Sequence, residues 1–189
     1  ISELSIPSSV SNFITLPEDI SNAAFANLGK GSNKSNTVTL HCDPSAIFTA
    51  DNSNNRVFKD ASINKLVIEP KGDEDSYEIA DGSNTGLGGD DIYGFAKTGL
   101  DMSMNQFCQL EISNNIVKLG SYAFYDCSML KHVTIDGNDT SGVSIYSKAF
   151  GGCDKLPLLE DILNGYIKLI NPDAFDSNLT DVVELSNVI

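Results

Sequence analysis

The sequence predicts a stacked-repeat solenoid of the α/β class, with short parallel strands on one side and turns or 3-10 pieces on the other. Three observations predict it. A phrase running from Ile116 to Ile135 returns in degraded form over residues 147–156 and again over residues 172–179. Each copy is anchored on an Ala-Phe pair, and the last three anchors, Phe124, Phe150 and Phe175, are 26 and 25 residues apart. After each anchor, small or apolar residues recur at similar offsets, and in the best copies they end in an apolar-x-apolar triplet. A self-similar period of this length marks supersecondary units that cannot bury their apolar side alone and therefore stack. Such arrays mostly offer surfaces rather than active sites.

The register is clearest in the copy anchored on Phe124. Cys127, Leu130, Val133 and Ile135 follow it at +3, +6, +9 and +11. Cys153, Leu156 and Leu159 hold the first three offsets after Phe150, and the fourth falls on Asp161. Two copies are a residue shorter before the strand: Phe58 with Ala61, Ile63, Leu66 and Ile68, and Phe175 with Asn178, Leu179, Val183 and Leu185. An earlier Ala-Phe pair stands at Ala24-Phe25. The 66 residues between Phe58 and Phe124 leave room for a hidden copy, which ends in Phe107-Cys108-Gln109-Leu110-Glu111-Ile112. The triplets Leu66-Val67-Ile68 and Val133-Thr134-Ile135 have the period of a strand with one face inward. The Ala-Phe segment reads as a turn, of one helical or 3-10 turn at most, whose Phe fills the core.

Taken in order, residues 1–22 read as an N-terminal cap, with a strand over Ser11 to Pro17 ending in a turn. Residues 23–189 read as one repeat domain of five or six irregular units. Polar loops punctuate it at Lys30 to Asn36, Asp51 to Asn55 and Lys71 to Asp75. Ser76 to Ile79 is a short strand candidate. Residues 71–111 are divergent or inserted. Ile162 to Ile170 alternates imperfectly and reads as a connection between copies.

The pattern Ile-x-x-x-Ala-Phe-x-x-Cys-x-x-Leu-x-x-Val-x-Ile resembles the BspA-like, or Treponema pallidum-type, leucine-rich repeat. The resemblance covers residues 112–185 well and 14–70 loosely. It implies an irregular leucine-rich-repeat right-handed superhelix. It also implies that the slot shared by Cys127, Cys153 and Asn178 takes a small residue that caps backbone groups inside the turn. Proteins of this family are secreted or surface-anchored and are linked to adhesion to host proteins or other cells. The expected partner is therefore an extracellular protein or a cell-surface ligand.

Composition narrows the function further. A net charge of −14 with only 12 Lys plus Arg argues against nucleic acid and against electrostatic binding to anionic lipid. Tryptophan is absent, which removes the usual stacking platform for sugars. No apolar run is long enough for a transmembrane segment. The chain opens on Ile1-Ser2-Glu3-Leu4, which reads as a secreted or cell-surface protein whose export signal has been removed; a lipid anchor upstream is left open. A monomer is expected. The four cysteines, Cys42, Cys108, Cys127 and Cys153, read as reduced: Cys127 and Cys153 share one repeat slot, which in stacked units puts them close enough for a bridge but in the wrong direction for one.

No constellation asks for chemistry. The stretch Asp81 to Asp91 is acidic and rich in glycine and invites a calcium reading, but position twelve of an EF-hand would be Ile92 rather than Glu. His41 and His132 are far apart in sequence and lack a ligand or nucleophile motif. Ser62-Ile63-Asn64-Lys65 matches Ser-x-x-Lys without its partner motifs. Catalytic, cofactor and metal residues are expected to be none. The middle residue of each strand triplet points outward, so Thr39, Val67, Glu111, Thr134 and Glu184 form the candidate partner face. A structural spacer in a larger surface protein is the alternative. A carbohydrate-active enzyme is the least favoured reading, because it would need paired carboxylates at a telling separation.

Overall fold

The computed structural model describes residues 3–11, 25, 28–29, 36–46, 61–81, 107–125, 127–136, 142–156, 163–164 and 167–175. These contain two all-parallel sheets. The first has six strands in the order β1 (Glu3–Ile6), β2 (Thr37–Leu40), β3 (Lys65–Ile68), β5 (Gln109–Ile112), β7 (His132–Asp136) and β9 (Leu163–Asn164). The second has four: β4 (Tyr77–Ile79), β6 (Ile116–Leu119), β8 (Val143–Ile145) and β10 (Ile167–Ile170). From β3 onward the chain gives one strand to the first sheet, then one to the second, four times over.

Alternation explains why the first sheet forms. Leu4, Val38, Leu66, Leu110 and Val133 stand side by side in register, and so do Ile6, Leu40, Ile68, Ile112 and Ile135. All ten but Leu4 are buried, and Leu4 packs against the same core. Each fully buried Leu or Ile contributes roughly 1.5–3 kcal/mol, so a one-residue slip of any strand would forfeit its whole inward set. The second sheet adds Ile79, Leu119, Ile145 and Ile170 in register to the same hydrophobic cluster.

The Ala-Phe turns form a third ladder. Phe124 N–H donates to the Ala149 carbonyl (2.7 Å) and Phe150 N–H to the Ala174 carbonyl (2.8 Å). The rings stack in turn: Phe124 on Phe150 at 5.4 Å and 15°, Phe150 on Phe175 at 5.1 Å and 10°. Tyr122 and Lys148, at equivalent places in successive copies, both adopt left-handed backbone (φ 58° and 50°). That conformation costs a non-glycine residue on the order of 1 kcal/mol; here the N–H groups of both residues are held by carbonyls of the following turn, Ser147 and Asp173.

Two expectations change. Among the described residues a second parallel sheet stands where turns and short helical pieces were expected. Among the described residues the only helical element is the 3-10 turn Pro44–Ala46, which packs beside the edge strand β4. The reason lies five residues before each Phe: Leu119, Ile145 and Ile170 are apolar there, and β-branched neighbours such as Val117, Val143 and Ile167 favour extended backbone. Ile167–Ile170, read from the sequence as part of a connection, is strand β10.

One expectation stands in place, and others fall partly or wholly outside the described residues. Tyr77–Ile79 is a strand, as the alternation suggested. Within residues 71–111, β4 and β5 both join the sheets, and residues 82–106 lie outside the described ones. Glu3–Ile6 is the outermost strand of the first sheet, in register with the rest. The strand expected over Ser11 to Pro17 lies almost wholly outside the described residues, as does Val57-Phe58.

Candidate functional site

Because the first sheet is parallel and in register, its outward residues line up in rows about 4.8 Å apart from strand to strand. The middle row runs Ser5, Thr39, Val67, Glu111, Thr134. Four of the five residues singled out from the sequence are therefore neighbours; Glu184 lies outside the described residues. Thr39 and Val67 are half-buried, and Glu111 and Thr134 are exposed.

Two further rows flank this one and were missed. The first runs Glu3, Thr37, Lys65, Gln109, His132. The second continues the alternation one step beyond Leu40, Ile68, Ile112 and Ile135 through His41, Glu69, Ser113 and Asp136; the His41, Glu69 and Ser113 N–H groups donate to the carbonyls of Ile6, Leu40 and Ile68. The signal was the same period of two, extended one step beyond each triplet.

Charge on this face is largely paired. Lys65 Nζ lies 2.6 Å from Glu111 Oε1, a diagonal contact between the first and middle rows. Glu69 Oε2 lies 3.3 Å from Lys71 Nζ and 3.6 Å from His41 Nδ1, whose ring also meets the Glu69 carbonyl at 3.0 Å. These groups are partly exposed, so each pair contributes about 1 kcal/mol or less to stability.

A polar spine secures the strand entries. The Asn36 carbonyl accepts from the N–H groups of Asn64 and Lys65; the Asn64 carbonyl accepts from Cys108 and Gln109; the Cys108 carbonyl accepts from Lys131 and His132. Asn64 Oδ1 in turn accepts from Asn36 N–H at 2.7 Å. Asn36, Asn64 and Cys108 thus share one structural position, which the offsets from Phe did not single out.

All four cysteines are free thiols. The Cys153 thiol donates to the Phe124 carbonyl of the preceding copy at 3.2 Å, so the slot ties one turn to the one before it. Burial pushes the Cys42 thiol up to about 11. Asp81, the one described residue of the acidic glycine-rich stretch, accepts from Ser121 N–H through Oδ1 at 2.9 Å. Among the described residues no group of His, Cys, Asp or Glu is placed to hold a metal ion. No helix among them is long and apolar enough to cross a membrane, which says nothing of strands.

Comparison with known proteins places this geometry in a class of repeat proteins. Residues 102–189 match the family model described as a BspA type leucine rich repeat region in six copies, so this segment is similar to BspA-type leucine-rich repeats. The match takes in β5 to β10; β1, β2 and β3 continue the same sheet register outside it. No curated protein and no solved structure matches the chain.

Proposed function

We propose that the chain is a non-enzymatic solenoid module, secreted or exposed at a cell surface, that binds a protein partner through the outward face of its six-stranded sheet. The observation that carries this reading is the register: Ser5, Thr39, Val67, Glu111 and Thr134 stand in one row on consecutive strands. A regular sheet face built from many copies offers a broad, rigid surface without further folding cost, which is how repeat arrays engage partners. The similarity to BspA-type repeats supports a binding or adhesion role.

The test is a binding screen of the folded chain against immobilised extracellular matrix proteins, repeated with a Val67→Arg/Thr134→Arg double variant. Both side chains point outward, so the variant should fold with an unchanged unfolding midpoint within a few degrees. Binding that drops at least tenfold in the variant supports the face. Binding that survives unchanged removes the face from consideration.

A further inference from the structure

The sequence contains two histidines, His41 and His132. They are remote in the chain, yet the fold puts both on the outward face of the six-stranded sheet: His132 opens β7 in the first row, and His41 stands just past β2 in the last. Histidine is the side chain whose charge ordinarily changes between about pH 5 and 8. This face therefore carries every histidine charge the protein has.

The surroundings give that charge a direction. The face and its rim hold four carboxylates, Glu3, Glu69, Glu111 and Asp136, against two lysines, Lys65 and Lys71, a net −2 with neutral imidazoles. Protonating both histidines brings it to zero. His41 faces Glu69 and, through it, Lys71 from the β3 side, with no charged group on β1 beside it. His132 is exposed, its cross-strand partner on β5 is the neutral Gln109, and Lys131 precedes it. The described residues of β9, Leu163 and Asn164, pair with Ile135 and Asp136 and are uncharged.

Resting on the binding face proposed above, we propose that its partner is a cationic polypeptide and that acidification releases it through His41 and His132. Opposite charge steers association and suppresses wrong partners, and a net-acidic sheet face in a chain of charge −14 fits a basic segment. Two added positive charges, one at the half-buried His41 and one at the exposed His132, weaken such a complex about threefold to tenfold.

The probe is a deca-lysine peptide, titrated into the isotope-labelled chain at fixed ionic strength, at pH 7.5 and 5.5, with backbone amide shifts as readout. The imidazole C–H shifts report protonation directly. The expected result is shift changes at Thr39, Val67, Glu111 and Thr134, and a Kd that rises about threefold to tenfold on acidification. In a His41→Gln/His132→Gln variant the rise should shrink to less than about twofold. His132→Gln alone, at an exposed site, should remove about half of the effect and guards against misfolding at His41. Binding on the face with an equal pH response in both proteins overturns the histidine switch and leaves the face standing. Shifts confined to the four-stranded sheet, or no binding at either pH, overturn the cationic partner as well.

Discussion

Phe150 is the middle ring of a stack of three, and removing it tests whether the Ala-Phe anchors hold the copies together. The ring is 1 % exposed and lies between Phe124 and Phe175 at 5.4 and 5.1 Å. Phe150→Ala deletes the transfer free energy of the ring and leaves a cavity, which together cost about 3–5 kcal/mol. Each lost ring contact belongs to a class of interaction that adds about 0.5–1.5 kcal/mol beyond area, so the upper half of that range is expected, about 4–5 kcal/mol. For a chain of 189 residues this lowers the unfolding midpoint by roughly 8–20 °C. Urea unfolding followed by circular dichroism at 25 °C measures it, provided the slope is unchanged. Phe150→Leu keeps most of the volume and should cost about 1–2 kcal/mol. Because the rings touch, Phe124→Ala and Phe150→Ala together should fall short of additivity by about 0.5–1.5 kcal/mol. A Phe150→Ala cost below about 1 kcal/mol would refute the reasoning, since the turn would then fold without its ring ladder.

Two other perturbations follow from single contacts. Gly120→Ala should destabilise by about 1–3 kcal/mol, because its Cβ would meet the Ala80 carbonyl carbon and the Asp81 nitrogen at 2.5 Å, and backbone has little room to yield; thermal unfolding reads this. Cys42, with its thiol raised to about 11 from 9.0, is neutral in the native state over a range where the unfolded thiol ionises. Its contribution is fully present below about pH 9 and is lost as pH rises through 9 to 11, because the native state then binds more protons than the unfolded one. A Cys42→Ala variant should accordingly show a flatter decline of stability between pH 9 and 11, and native Cys42 should react with a thiol reagent only upon unfolding.

The first sheet was legible because its period of two survives in nearly every copy. Leu66-Val67-Ile68 and Val133-Thr134-Ile135 announce which residues turn inward, and the row of Thr39, Val67, Glu111 and Thr134 follows from that parity alone. The second sheet was less legible. Tyr77-Glu78-Ile79 alternates cleanly, but β6 and β10 each carry an extra residue, Val117 and Lys168, where the register with the neighbour shifts. A bulge breaks parity, so the apolar residues of Ile116–Leu119 no longer read as a strand.

By itself the sequence determined the repeat, its Phe anchors, the inward residues and the outward parity, because each depends on spacing within one copy. Only the tertiary structure decided which copies are neighbours and what they share. The Phe ladder, the Asn36–Asn64–Cys108 spine and the Lys65–Glu111 pair each join residues from different copies. His41 and His132 meet on one face for the same reason: lateral hydrogen bonding fixes strands of unequal spacing into one register, and the lengths of the intervening segments leave no mark on that register.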